Sequence, residues 1–179
     1  EAKILATILI IVSISLNVLI LCIEKNLSNF SVAISIEILY LVLNILYSFG
    51  LKNIPILDVV ILVSGFIIRV FYGAEITGIY VSNWLYLTIM MGSFYMGFGK
   101  RRNEAIKQGE KSRDVLKKYN KEFLDKFMYI SLVLTIMFYS LWCIDENTIS
   151  RIGNEYMIWT IPLVFVILMK YSLDIEGDS

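Results

Sequence analysis

The chain contains 179 residues, of which 58% are hydrophobic, and its mean hydropathy is +0.71. Because apolar residues make up roughly 45–50% of a soluble domain, this composition excludes an ordinary soluble globule and indicates a membrane protein. Sixteen Lys and Arg balance sixteen Asp and Glu, and His is absent. Without His, the commonest metal ligand, any metal site must use oxygen ligands, which suit Mg²⁺.

Six apolar segments, each near the ~20 residues that cross a bilayer, predict an all-α, polytopic membrane helix bundle. We place them at 4–22, 30–49, 57–76, 84–99, 127–144 and 156–173. The chain 1–179 is expected to form a single transmembrane domain. Since it begins at Glu1 rather than Met and stops just after a Gly-Asp-Ser sequence, we interpret it as an internal fragment of a longer protein.

Positive charge is concentrated between the fourth and fifth segments, in a basic loop at 100–126. This loop holds ten Lys or Arg and five Asp or Glu. If the N-terminus is cytoplasmic, the inner regions hold thirteen cations and the outer loops two, which is a strong positive-inside pattern. We therefore predict a multi-pass protein of the cell membrane, with the N-terminus of the chain and the basic loop on the cytoplasmic side.

The basic loop has a helical pattern of its own. Between residues 115 and 127, apolar side chains recur at three- and four-residue spacings, and Ser112 is a suitable N-cap. We expect an amphipathic helix that lies on the cytoplasmic end of the bundle and continues into the fifth crossing. A solvated connector on the anionic inner surface of the membrane explains the charge equally well.

The ionisable residues within or at the ends of apolar segments include Glu37, Asp58 and Arg69, and charge is costly there, so such side chains usually face the bundle interior. Glu37 and Arg69 lie at similar depths, and we predict a buried ion pair between them. Asp58 lies at the cytoplasmic start of the third segment, where it complements the helix dipole or meets an anionic substrate and its metal. Asp58 and Arg69 are eleven residues apart, so they share one helix face, which should line the interior.

Three blocks of sequence carry a family resemblance. The first is Leu46-Tyr-Ser-Phe-Gly-Leu-Lys52 followed by Asp58, and the second is Ser64-Gly-Phe-Ile-Ile-Arg69 followed by Gly73. The third is Gly99-Lys-Arg-Arg-Asn-Glu104, followed by Arg113-Asp-Val-Leu116, Tyr119 and Phe123-Leu-Asp125. Together they resemble the UbiA superfamily of intramembrane prenyltransferases, and in particular its decaprenyl-phosphate phosphoribosyltransferase branch.

The resemblance implies a bundle of nine helices, with a cavity open to the cytoplasm and to lipid and with Mg²⁺ held by two polar motifs. It implies transfer of 5-phosphoribose from phosphoribosyl diphosphate to a polyprenyl phosphate, with release of diphosphate. The first Asp-rich motif of the family, Asn-Asp-x-x-Asp, does not occur in this sequence, so we expect six of the nine helices and no activity from the fragment alone. No nucleic acid is expected as a partner.

The candidate site residues place charge or a phenol at helix ends or within the bundle, where substrate phosphates could be bound. Glu104 is the candidate metal ligand and, with Asp58, a candidate catalytic carboxylate. The candidate substrate-binding residues are Tyr47, Lys52, Arg69, Lys100, Arg101 and Arg102. For any one of these residues the alternative is a topological role, such as anchoring a helix end.

Two other functions stay open. An aromatic prenyltransferase of the same superfamily would carry a diphosphate-binding Asp-rich motif where this chain has KRRNE at 100–104. A transporter or a membrane assembly subunit would show broken helices or inverted symmetry, and the sequence has neither pattern.

Overall fold

The computed structural model describes Ser15 and residues 27–108 and 115–177. Three short 3₁₀ turns connect helices in these ranges, at Leu51–Asn53, Leu116–Lys118 and Tyr156–Thr160. No strand occurs in the described ranges, which confirms the all-α prediction. The α-helices are α1 (Leu27–Phe49), α2 (Leu57–Thr77), α3 (Asn83–Gln108), α4 (Lys121–Ile144), α5 (Glu146–Ile152) and α6 (Ile161–Gly177).

Four spans in the described ranges are long and apolar enough to cross a membrane, and they match four of the six predicted segments. The predicted segment 84–99 forms the first part of α3, whose Gly, Ser and Tyr residues make it less apolar than the others. The predicted segment 4–22 lies outside the described residues, apart from Ser15. The four spans are Ser31–Phe49, Leu57–Thr77, Lys121–Ile144 and Tyr156–Glu176.

Helix α3 packs against α2, α4 and α6, so it lies among the other helices rather than at the edge. Its glycines permit close approach. A Cβ on Gly97 would lie 3.1 Å from Cγ1 of Val59 on α2, and a Cβ on Gly99 would lie 2.6 Å from Cδ1 of Ile175 on α6. The less apolar sequence of α3 therefore suits a helix surrounded by protein, where small residues favour close packing.

The region between α3 and α4 differs from the predicted loop with a continuous amphipathic helix. Helix α3 extends to Gln108, so residues 100–108 are helical. Residues 116–118 form only a 3₁₀ turn, and α4 begins at Lys121. The side chain of Asn120 accepts a hydrogen bond from the Glu122 N–H, and this N-cap begins a new helix where the prediction had an uninterrupted one. The predicted N-cap Ser112 lies outside the described residues.

The opposite end of the bundle is held by a short helix that the sequence pattern did not predict. Asp145 caps α5 by accepting hydrogen bonds from the backbone N–H and the hydroxyl of Thr148. Arg151 of α5 donates to the carbonyl oxygen of Tyr80 at 2.8 Å and lies over the ring of the same residue. These contacts fix the connection between α4 and α6 against the connection between α2 and α3.

Candidate functional site

Polar residues from four parts of the chain meet at the end of the bundle that carries the basic residues. They come from the last turn of α1, the first turn of α2, the polar end of α3 and the turn before α4. We call this group the polar cluster, and it consists of Tyr47, Asp58, Arg101, Glu104 and Tyr119.

Arg101 lies at the centre of the polar cluster, with a side chain that is 1% exposed. Its Nε lies 2.6 Å from Oδ2 of Asp58 as an ion pair, without the linear geometry of a hydrogen bond. Its Nη1 donates to Oε2 of Glu104 at 2.7 Å, and its Nη2 donates to the hydroxyl of Tyr47 at 3.2 Å. One guanidinium thereby joins α1, α2 and α3.

The surroundings of Arg101 keep it charged. Burial alone would lower the pKa of the guanidinium, but the carboxylates of Asp58 and Glu104 outweigh burial and raise that pKa above its usual value. Counted formally, the polar cluster holds one positive and two negative charges. A direct contact between Arg101 and a substrate phosphate, as the sequence predicted, would require Arg101 to exchange one of these partners.

Asp58 is fully buried, and protein groups contact both of its carboxylate oxygens. Its Oδ1 accepts a hydrogen bond at 2.6 Å from the hydroxyl of Tyr119. The same hydroxyl accepts a hydrogen bond at 2.6 Å from the backbone N–H of Ile56. The sequence pattern placed Asp58 correctly on the side of the basic residues, and the structure adds its partners.

Arg102 points away from the polar cluster. Its Nε donates to Oδ1 of Asp125 on α4, and its Nη1 donates to the carbonyl oxygen of Ile175 at 3.4 Å, near the end of α6. Because Ile175 lies near the C-terminal end of α6, the Arg102 cation also complements the dipole of that helix. Arg102 therefore ties α3 to α4 and α6, and the predicted phosphate contact would compete with these bonds.

The two lysines predicted to bind substrate are more accessible than the arginines. Lys100 is exposed on α3, directly before Arg101. Lys52 is half-buried in the 3₁₀ turn between α1 and α2, six residues before Asp58. Their contacts with substrate stay predictions.

Arg69 does not join the polar cluster. It lies about 16 Å along α2 from Asp58, at 1.5 Å per residue, and it bonds to Tyr40 on α1. Its guanidinium lies 5.1 Å from the ring centre of Tyr40 and 5.7 Å from that of Phe66. The helices that carry the predicted ion pair of Glu37 and Arg69 do pack together, and Arg69 bonds to Tyr40, three residues after Glu37. The pair was predicted to be buried, whereas Arg69 is exposed.

The prediction that Asp58 and Arg69 share an interior face is wrong, because Arg69 is exposed while Asp58 is buried. The two residues do lie on one side of α2 by spacing. However, Asp58 is covered by α3 and the turn before α4, whereas Arg69 lies against α1. The ring faces of Tyr40 and Phe66 hold the cation there.

The predicted metal ligand Glu104 has a side chain that is 20% exposed and bonded to Arg101 through Oε2. Carboxylate oxygens are ligands that Mg²⁺ prefers, and one or two of them commonly hold the ion together with substrate phosphates. Within 27–108 and 115–177, no group of three or more Asp, Glu or Cys side chains is arranged to hold a metal. Of the two carboxylates in the polar cluster, Glu104 is the more exposed, and its contact with a metal stays a prediction.

Tyr119 and Asp125 belong to the third sequence block, but their individual partners could not be predicted from the sequence. The structure shows them as the partners of Asp58 and Arg102. Their position is the feature that could have indicated these partners, because both residues lie close to the start of α4 and opposite the arginine-rich end of α3.

Because of the Tyr119 phenol, the stability of the folded protein should fall as the pH rises through the alkaline range. Burial and the hydrogen bond to Asp58 raise the pKa of Tyr119 to about 12, against about 10 for an unfolded tyrosine. The neutral phenol is the form that donates to Asp58, so its contribution is complete below the unfolded pKa and is lost as the pH rises through the folded pKa. We expect the melting temperature of the wild type, relative to Tyr119→Phe, to fall between about pH 10 and about pH 12.

Thermal unfolding in detergent across this pH interval measures the difference. Tyr156→Phe is the matched control, because Tyr156 is 74% exposed, and its difference from the wild type should stay constant. A constant difference for Tyr119→Phe as well would contradict the prediction.

Together, the fold and the site define a polytopic helical membrane protein with a buried, charge-paired cluster at one end of its bundle. No family model matches the chain. The chain is 31% identical over 148 residues to the decaprenyl-phosphate phosphoribosyltransferase of Mycolicibacterium smegmatis. It is 32% identical over 145 residues to that of Corynebacterium glutamicum, and 29% identical over 145 residues to that of Mycobacterium tuberculosis.

These alignments cover 77%, 78% and 79% of this chain, and 46%, 43% and 47% of the three relatives in the same order. The chain thus spans less than half the length of the curated relatives it matches. The resemblance predicted from the three sequence blocks is confirmed, and the chain is a relative of the decaprenyl-phosphate phosphoribosyltransferases.

Proposed function

We propose that the protein is an intramembrane transferase that moves 5-phosphoribose from phosphoribosyl diphosphate to a polyprenyl phosphate and releases diphosphate. Sequence similarity carries this proposal, because the curated relatives that align with more than three quarters of the chain are named as decaprenyl-phosphate phosphoribosyltransferases. The polar cluster supports it, since it places buried charges where α3 leaves its apolar segment.

In this proposal the buried and the accessible cations have different tasks. A departing diphosphate develops negative charge, which preorganised cations stabilise. Lys100 is exposed and Lys52 is half-buried, so both can approach phosphate oxygens with little rearrangement. Arg101 is enclosed by Asp58, Glu104 and Tyr47, so its task is to hold Glu104 in a fixed orientation.

We further propose that Glu104 binds Mg²⁺ together with phosphate oxygens of the donor. The formal charge of the polar cluster is net negative, which favours a cation next to it rather than a bare phosphate. The ion would supply positive charge to the diphosphate leaving group. Asp58 is the second candidate carboxylate, and its part is to fix Arg101.

The lipid acceptor requires few specific groups from the protein. Its phosphate is already an anion, so it can attack the ribose carbon without a general base, and the absence of His is compatible with the reaction. Its isoprenoid tail requires an apolar surface. A groove of about 520 Å³ between α4 and α6 offers one, and its lining includes Leu132, Ile136, Phe165 and Leu173.

We propose the cell membrane as the location, with the polar cluster on the cytoplasmic side. Asp58, Arg101, Arg102 and Asp125 all lie at the end of the bundle that carries the basic residues. The excess of cations at this end supports the orientation. A soluble phosphoribosyl donor would then reach the site from the cytoplasm.

A transfer assay tests the proposed function. The intact protein, purified in detergent and shown to be folded, is incubated with labelled phosphoribosyl diphosphate, Mg²⁺ and a polyprenyl phosphate. We expect labelled lipid that requires the polyprenyl phosphate and disappears when a chelator removes the metal. Folded protein that forms no labelled lipid, but prenylates an aromatic acceptor, would replace this function with the aromatic prenyltransferase alternative.

A further inference from the structure

The connection between α1 and α2 contains one unusual backbone conformation. Ile56, directly before α2, has φ 70 and ψ −49. Among the described residues it is the only non-glycine residue with a positive φ. These angles lie near those of the classic γ-turn, which is rare and strained, and a β-branched residue tolerates them poorly. Such a conformation persists where the surrounding structure holds it in place.

Both backbone polar groups of Ile56 are bonded. Its carbonyl oxygen accepts hydrogen bonds from the N–H groups of Val59 and Val60 in α2, and its own N–H is bonded by the hydroxyl of Tyr119.

The hydroxyl of Tyr119 accepts the hydrogen bond from the Ile56 N–H at 2.6 Å and donates one to Asp58 at 2.6 Å. The ring of Tyr119 stacks on Phe123 with centroids 5.9 Å apart, so the phenol is itself held against α4. One hydroxyl therefore bonds both the strained residue and the buried carboxylate that faces Arg101.

We infer that Tyr119 is a positioning residue of this site. Through its hydroxyl it holds Asp58, and through Asp58 it fixes the Arg101 guanidinium in the orientation that bonds Glu104. Asp58 and Glu104 contact Nε and Nη1 of the same guanidinium, so a displaced Asp58 would let the group turn and move Glu104 with it. The hydrogen bonds of Tyr119 are seen in the structure, whereas their effect on catalysis rests on the proposed function.

The expected consequence is a split between turnover and binding. Small displacements of a positioned group can cost up to about 100-fold in rate, so we expect Tyr119→Phe to lower kcat roughly 10- to 100-fold. The KM for the polyprenyl phosphate should change by less than about twofold, because ground-state binding of the lipid needs no contact with this hydroxyl.

Amide hydrogen exchange and steady-state transfer, measured on the intact protein in detergent, test the inference together. In Tyr119→Phe we expect faster exchange in the peptide that contains Ile56, since its N–H loses its acceptor. Tyr129→Phe is the matched control. Its hydroxyl also donates to a carboxylate, that of Glu176 at 2.8 Å, but lies outside the polar cluster. This control should leave both the exchange and kcat unchanged.

A second substitution separates positioning from a purely structural role. In the Tyr119→Phe background, Ile56→Gly removes the steric penalty of the positive φ. We expect this double variant to recover thermal stability but not kcat, because Asp58 still lacks its donor. Recovery of stability and kcat together would overturn the inference and assign Tyr119 a structural role.

The remaining outcomes are also decisive. Wild-type exchange around Ile56 in Tyr119→Phe would overturn the inference, and so would faster exchange with an unchanged kcat. If the folded wild type transfers no phosphoribose, the proposed function fails instead. The inference is then tested by the free energy of unfolding. If the losses in Tyr119→Phe and Asp58→Asn add in the double variant, the inference is overturned, and if they do not add, it is supported.

Discussion

Arg101→Met is expected to destabilise the folded protein by about 3–5 kcal/mol, the range for removing one partner of a buried ion pair. The methionine fills much of the space, but it leaves the fully buried carboxylate of Asp58 without its cation. It also releases the contacts that join α1, α2 and α3. Unfolding in detergent, followed by circular dichroism against denaturant or temperature, measures the loss.

Lys126→Met is the matched control, because it removes an exposed cation from α4 by the same substitution. Exposed substitutions of this kind usually change stability by no more than about 0.5 kcal/mol. The double variant Arg101→Met with Asp58→Asn should lose less than the sum of the single losses, since no buried charge is left alone. Additive losses would show that the two residues are not energetic partners.

The helices could be predicted from the sequence because the bilayer demands long apolar segments with internally satisfied backbones. Their ends at the basic side could not be predicted from charge alone. Residues 100–108 looked like a loop because they are polar, but Lys, Arg, Glu, Ala and Gln all favour helix, so α3 continues through them. The apolar spacing from 115 to 127 looked continuous, but Asn120 interrupts it as the N-cap of α4.

The composition of the candidate site could be predicted, but its connections could not. Arg101 and Glu104 are three residues apart on one helix, so this bond is local and could be expected. Asp58 lies 43 residues from Arg101 and 61 from Tyr119, so these pairs depend on which helices pack together. The prediction that Arg69 shares an interior face with Asp58 was wrong for the same reason. Residues on one helix face have a common environment only where the same neighbouring helices cover both of them.

Glu104→Gln is expected to lower phosphoribosyl transfer by about 10- to 100-fold, a loss typical of weakened metal coordination. The amide oxygen can still accept the hydrogen bond from Arg101, so the link between the two residues remains. The negative charge that would bind Mg²⁺ is lost. The side chain is 20% exposed, and we therefore expect little loss of stability alongside the loss of activity. Transfer rates measured over a range of Mg²⁺ concentrations test this, and a higher concentration should restore part of the rate.

Glu122→Gln supplies the control, since it removes an exposed carboxylate from the first turn of α4, outside the polar cluster. Its transfer rate and Mg²⁺ dependence should match those of the wild type. If Glu104→Gln keeps both as well, Glu104 is only the partner of Arg101, and the metal must be held elsewhere. If the rate falls but no amount of Mg²⁺ restores it, the charge of Glu104 acts on the orientation of Arg101 rather than on the ion. The Mg²⁺ titration thus separates the two roles that one carboxylate can have beside a buried guanidinium.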